Sequence, residues 1–157
     1  MMDQISTYFT IEMIYLWTNL GVIPIWISLI FFPNSNISRF FCLSIFPYFI
    51  LSSLYLFLLY YFFTSSFNFY ENFNLYLGLN ELKELFSNEG FLIFFWIHFL
   101  SINIFCGAWI VNDSQKLMVS KYLVFFPLII TYFIGPVGIF FYWIVRIFYS
   151  KSIKIFN

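Results

Sequence analysis

Residues Phe91–Val111 read FLIFFWIHFLSINIFCGAWIV, an apolar run that holds the chain's single histidine, His98, and not one charged residue. At about 1.5 Å of rise per residue, about 20 such residues cover the hydrocarbon of a bilayer. Lipid offers nothing to backbone N–H and C=O groups, so a crossing segment is a helix or part of a closed barrel. The run is continuously apolar rather than alternating, which predicts a helix. Three more runs of this kind flank it: Tyr8–Phe32, Phe40–Phe63 and Tyr122–Phe148. The expected fold is therefore all-α, an integral membrane four-helix bundle forming one transmembrane domain over residues 1–157.

Composition agrees with that class. Of 157 residues, 62% are hydrophobic and 9% charged, where a soluble domain carries about 25% charged. The 26 Phe and 12 Tyr come with abundant Ile and Asn, all served by AU-rich codons, so Phe count alone marks no pigment site. Net charge is zero, which gives no electrostatic footing for nucleic acid. Cys42 and Cys106 make no CxxC or Cys/His pattern, so neither a disulfide nor a metal site is expected. The first run lacks a basic leader and is too long for a signal core, and reads as the first span.

Four spans would put both flanks of the domain on one side. That side would hold Lys83, Arg146, Lys151 and Lys154, and the other Arg39, Lys116 and Lys121. Four against three scarcely decides orientation by the positive-inside rule, with the basic tail leaning towards the cytoplasm or stroma. Arg39 reads as a lipid-phosphate anchor or a partner for Asp113. The long connection, 64–90, carries Glu71, Glu81, Glu84 and Glu89. Within it Asn80 is a candidate cap for a surface helix over roughly 80–87, with Leu82, Leu85 and Phe86 on one face.

The polar and breaker residues inside the runs are the candidate site. Pro24 and Pro136 each withhold a donor from the helix, Pro136 from the carbonyl of Tyr132. Thr131, Gly135, Gly138 and Tyr142 recur at helical spacing, and Gly107 offers a matching surface for close packing. By depth, His98, Tyr142, Asn19, Glu12, Glu89 and Arg146 fall near one mouth of the bundle. An intramembrane histidine is expected to face inward. Three roles compete for it: an interhelical hydrogen bond to Asn19 or Tyr142, proton transfer, and axial ligation of chlorophyll or heme. Asn103 lies about 140° around the same helix and must meet another neighbour.

These landmarks form a series. Asn19, Pro24 and Trp26 precede the Pro33 turn. Leu85-Phe86-Ser87-Asn88-Glu89 precedes Trp96-Ile97-His98, then Asn103-Ile104-Phe105 and Asp113. Pro127, Thr131 and Gly135-Pro136-Val137-Gly138 close it. The series resembles the abscisic-acid-deficient-four-like family of small four-helix membrane proteins from plants, algae and bacteria, over roughly residues 10 to 148. Where that family usually has Asp, this chain has Asn103; the common Arg before the Trp is Ala108, and Asn112 precedes Asp113.

The resemblance implies a part in carotenoid metabolism, as in the conversion of violaxanthin to neoxanthin in plastid or cyanobacterial thylakoid membranes. Turning an epoxide end group into an allenic alcohol changes no redox level. It needs one acid and one base at the head of an apolar cavity, with no cofactor. His98 is the expected base, and Tyr142 or Glu12 the expected acid. Asn19, Asn103, Thr131, Gly135, Pro136 and Gly138 are the expected substrate-binding set. The expected partners are membrane lipids and carotenoid. The competing function is a non-catalytic accessory subunit of a photosynthetic membrane complex, with carotenoid or chlorophyll as bound pigment.

Overall fold

A computed structural model describes residues 10–64 and 76–150. Glu71, Lys151 and Lys154, used above in weighing the connections, lie outside the described residues. Among the described residues the chain is all α: α1 Ile11–Phe31, α2 Asn36–Leu43, α3 Phe46–Thr64, α4 Leu79–Ser87, α5 Glu89–Lys116, α6 Lys121–Phe133 and α7 Gly135–Ser150. Two of them, α1 and α5, are long and apolar enough to cross a membrane, and the bent pair α2–α3 makes a third candidate if counted as one span.

Two of the four runs are therefore not single helices. The second divides at Ser44-Ile45 because Pro47 has no N–H to continue the ladder. Ser44 ends α2, its N–H reaching the Phe40 carbonyl at 2.8 Å, and its hydroxyl accepts the Phe46 N–H at 3.0 Å. The fourth run, read above as one span over 122–148, is two helices meeting at Ile134.

Contacts group the chain into two compact units, Met1–Leu20 with Tyr48–Leu100, and Gly21–Pro47 with Ser101–Asn157. In the first, aromatic edges pack the helices. Tyr55 of α3 meets Phe94 of α5 at 4.9 Å between ring centroids, and Phe86 of α4 meets Phe95 at 4.7 Å. Helix α4 forms where expected, with Leu85 buried and Leu82 and Phe86 half-buried. Its N-cap is Gly78 and no side chain caps it, so Asn80 lies inside the helix rather than at its cap. Thr10 and Asn88 do the capping in this unit, accepting from Met13 N at 3.3 Å and Phe91 N at 3.2 Å.

In the second unit α6 and α7 fold back on one another. Phe126 and Phe141 stack edge to face at 5.6 Å, although 15 positions of straight helix would separate them by about 22 Å. Gly138 lies against the backbone of Thr131, and Gly135 against the side chain of Asn103. The packing is tight enough that a Cβ at either glycine would collide. Thus Thr131, Gly135, Gly138 and Tyr142 are all buried, but as facing surfaces of a hairpin rather than as one helical stripe. Gly107 does not face this set. A Cβ there would come within 2.7 Å of the Trp26 ring and 3.5 Å of Leu29.

The register of the unit follows from its contacts. Along α5, Asn103 meets Tyr132 and Gly135, Trp109 meets Tyr142, and Asp113 meets Arg146. Both sequences ascend together, so α7 runs parallel to α5 and α6 runs antiparallel to it. Trp26 and Leu29 against Gly107, and the Pro33 carbonyl against Gln115 at 2.6 Å, make the end of α1 parallel to α5 too. The ends of α1, α5 and α7 therefore share one face of this unit. Arg146 and Asp113, assigned above to opposite sides, stand together because the chain reverses at Ile134.

Candidate functional site

Polar groups are gathered in both units. In the second, Asp113 on α5 gathers two side chains of α7. Arg146 Nε donates to its Oδ2 at 2.8 Å, and the Tyr142 hydroxyl donates to the same oxygen at 2.7 Å. Arg146 is 4% exposed and Tyr142 is sealed, with its ring against Trp109 at 5.6 Å. The phenol proton proposed above as an acid is committed to a carboxylate, and no surface of Tyr142 is open to a ligand. The cluster's evident work is to latch α7 to α5.

At the turn of the hairpin Asn103 resolves the defect that Pro136 creates. Its Nδ2 donates to the Tyr132 carbonyl at 3.4 Å, the acceptor left without its helical donor. An ionised Asp at 103 would bring an acceptor to an acceptor, so the amide suits this geometry. Thr131 Oγ1 donates back to the Pro127 carbonyl at 2.8 Å, and Pro136 itself is exposed. The expected substrate-binding residues of the fourth run are thus gathered at one turn, where packing occupies Thr131, Gly135 and Gly138.

In the first unit α1 and α5 line a half-open cavity of about 500 Å³, bordered by Glu12, Tyr15, Glu89, Leu92, Ile93 and Trp96 together with Ile11. The size fits the head of a small apolar ligand. Thr10 and Asn88 start the two helices, so Glu12 and Glu89 fall in their first turns and project beside the same space. Tyr15 and Trp96 form a tilted ring pair at 5.5 Å along its wall. The Trp96 indole Nε1 is buried with no hydrogen-bond partner among the described residues, an omission that costs about 1–3 kcal/mol and calls for a reason. Asn19 stands one turn beyond Tyr15 and donates to its carbonyl at 2.7 Å, within its own helix.

The structure thus brings Glu12 and Glu89 together, as depth suggested, but not His98. The buried stripe of α5 runs through Ile93, Ile97, Leu100, Ile104 and Val111. His98 falls on the opposite stripe with Phe95, Ile102 and Phe105 and is exposed, not inward-facing. Among the described residues no three His, Cys, Asp or Glu side chains are grouped to hold a metal.

Residues 13–142 match the model of a family described as ABA DEFICIENT 4-like. The chain belongs to the ABA4-like family. The match runs from the first turn of α1 to the middle of α7 and so takes in Asp113 and Tyr142 of the latch but not Arg146, the hairpin turn, and the cavity wall apart from Ile11 and Glu12. No curated protein and no solved structure matches the chain. Sequence reasoning missed two features of this ABA4-like protein. Glu89 was placed by depth near one mouth with Glu12 but given no role, and the cavity that both line is a tertiary fact. The Asp113–Arg146 pair had one signal in the sequence, a lone arginine late in an apolar run.

Proposed function

We propose that this ABA4-like protein is a carotenoid isomerase of thylakoid-type membranes, acting on an epoxidised end group as a neoxanthin synthase does. Family membership over residues 13–142 carries the reading, and the cavity between α1 and α5 supports it. The end ring enters the apolar space, and the conjugated chain lies along the Tyr15 and Trp96 rings. One glutamic acid, Glu12 or Glu89, protonates the epoxide oxygen as its C–O bond breaks. The other, as carboxylate, removes the proton from the adjacent polyene carbon, and that electron pair forms the new double bond of the allene. Return of the proton from the base to the acid resets the pair. No electron carrier is consumed.

A second reading has its own observation. An exposed imidazole among Phe95, Ile102 and Phe105 is placed to ligate a pigment held outside the protein, as an accessory subunit would do. One experiment separates the two. Express wild type, Glu12→Gln, Glu89→Gln and His98→Ala in a host that accumulates violaxanthin, and chromatograph the carotenoids. The isomerase reading predicts an allenic product from wild type and His98→Ala, and a loss of about 10²-fold or more with either glutamine. Undiminished product from both glutamine variants defeats the carboxylate assignment. Pigment that copurifies with wild type but not with His98→Ala, without conversion, favours the second reading.

A further inference from the structure

We infer that α6–α7 is a re-entrant hairpin that enters and leaves the membrane on one face of its unit, and that this face, which carries Arg39, Lys116 and Lys121, rests on the anionic headgroups of the cytoplasmic-type leaflet. Helix α6 has 13 residues, about 20 Å, and the described part of α7 has 16, about 24 Å, against a hydrocarbon layer of roughly 30 Å.

The hairpin's turn is built for depth. Irregular backbone inside a bilayer is tolerated only where protein buries it and satisfies its polar groups. Gly135 and Gly138 are buried. The Ile134 N–H reaches Ile130 O at 2.7 Å, and the N–H groups of Val137 and Gly138 reach Ile134 O at 3.1 Å. Asn103 supplies the donor that Pro136 withholds from Tyr132. The register of α7, parallel to α5, then returns the chain to the face where α1 and α5 end.

Charge gives that face a direction. Within Gly21–Pro47 and Ser101–Asn157 the sequence holds six Lys and Arg against one acid, Asp113, a net of +5. The remaining residues hold Lys83 alone against six Asp and Glu, a net of −5. Arg146 is buried against Asp113, whereas Arg39, Lys116 and Lys121 are exposed beside the helix ends. Lys121 also lies over the exposed Tyr122 ring at 5.3 Å, an aromatic residue suited to the headgroup level. Short basic connections stay on the cytoplasmic side and are attracted to anionic lipid. The near-tie counted from four straight spans becomes a strong asymmetry once the fourth run folds back.

The test is cysteine labelling. In a Cys42→Ala, Cys106→Ala background, introduce Ser120→Cys or Ser152→Cys singly and treat spheroplasts of a bacterial host with an impermeant maleimide. Ser120→Cys and Ser152→Cys, which flank the hairpin, should both label only after permeabilisation. Labelling of the two from opposite sides would restore a straight fourth crossing and overturn the hairpin. Labelling of Ser120→Cys in intact spheroplasts would overturn the orientation. Adding Arg39→Glu, Lys116→Glu and Lys121→Glu together should expose Ser120→Cys in a substantial fraction of molecules. An unchanged distribution would show that these charges do not seat the face on anionic lipid.

Discussion

Asp113→Ala should destabilise the protein by about 3–5 kcal/mol, the cost of leaving one member of a buried ion pair without the other. The carboxylate accepts from Arg146 Nε at 2.8 Å and from Tyr142 at 2.7 Å. Both donors are within the packed interior, Arg146 at 4% exposure and Tyr142 at 0%. Removing the acceptor takes from a buried guanidinium and a buried phenol the one carboxylate to which both donate. Removing both charges is a different experiment. Asp113→Leu with Arg146→Leu leaves no uncompensated ion, and an apolar replacement for a buried pair is often neutral. Thermal unfolding in detergent should therefore show Asp113→Ala lower than the double variant. An Asp113→Ala protein as stable as wild type would mean that the latch does not hold α7 to α5.

Gly138→Ala should be nearly as damaging, although it adds a single methyl group. Its Cβ would fall against the N and Cα of Thr131, and backbone atoms cannot rotate aside as the end of a side chain can. Overpacking commonly costs about 1–3 kcal/mol, and more where the obstacle cannot yield. The cost here falls on closure of the hairpin, so protease sensitivity of the 117–134 stretch should rise together with the loss of thermal stability. Val137→Ala, one position away on the exposed side of α7, is the matched control and should stay within about 0.5 kcal/mol of wild type. Equal behaviour of the two variants would contradict the packing of α6 on α7.

These two sites show where the sequence was sufficient. The apolar lengths of α1 and α5 and the face of α4 were legible, because periodicity and apolar length are local properties. The breaks at Pro47 and Pro136 also carried local signals, since proline removes a donor wherever it stands. The consequence of a break is not local. Whether Gly135-Pro136-Val137-Gly138 kinks a helix or reverses it depends on Gly138 fitting against Thr131 and on Asn103 reaching the Tyr132 carbonyl. Those contacts decide on which side Arg146 emerges. His98 illustrates the same limit. Rarity inside an apolar run marked it for attention, but its direction follows from which stripe of α5 the neighbouring helices cover. Conversely, Glu12 and Glu89 were each explicable as helix-start residues. Only the cavity makes them a pair.

Violaxanthin presented to the purified protein in lipid nanodiscs, under anaerobic conditions with no added reductant, tests the central claim most directly. The account predicts a product of unchanged mass with an allenic end group, formed by wild type and lost in Glu12→Gln and Glu89→Gln. Unaltered violaxanthin with folded wild-type protein, or a product whose mass differs from the substrate, would contradict it.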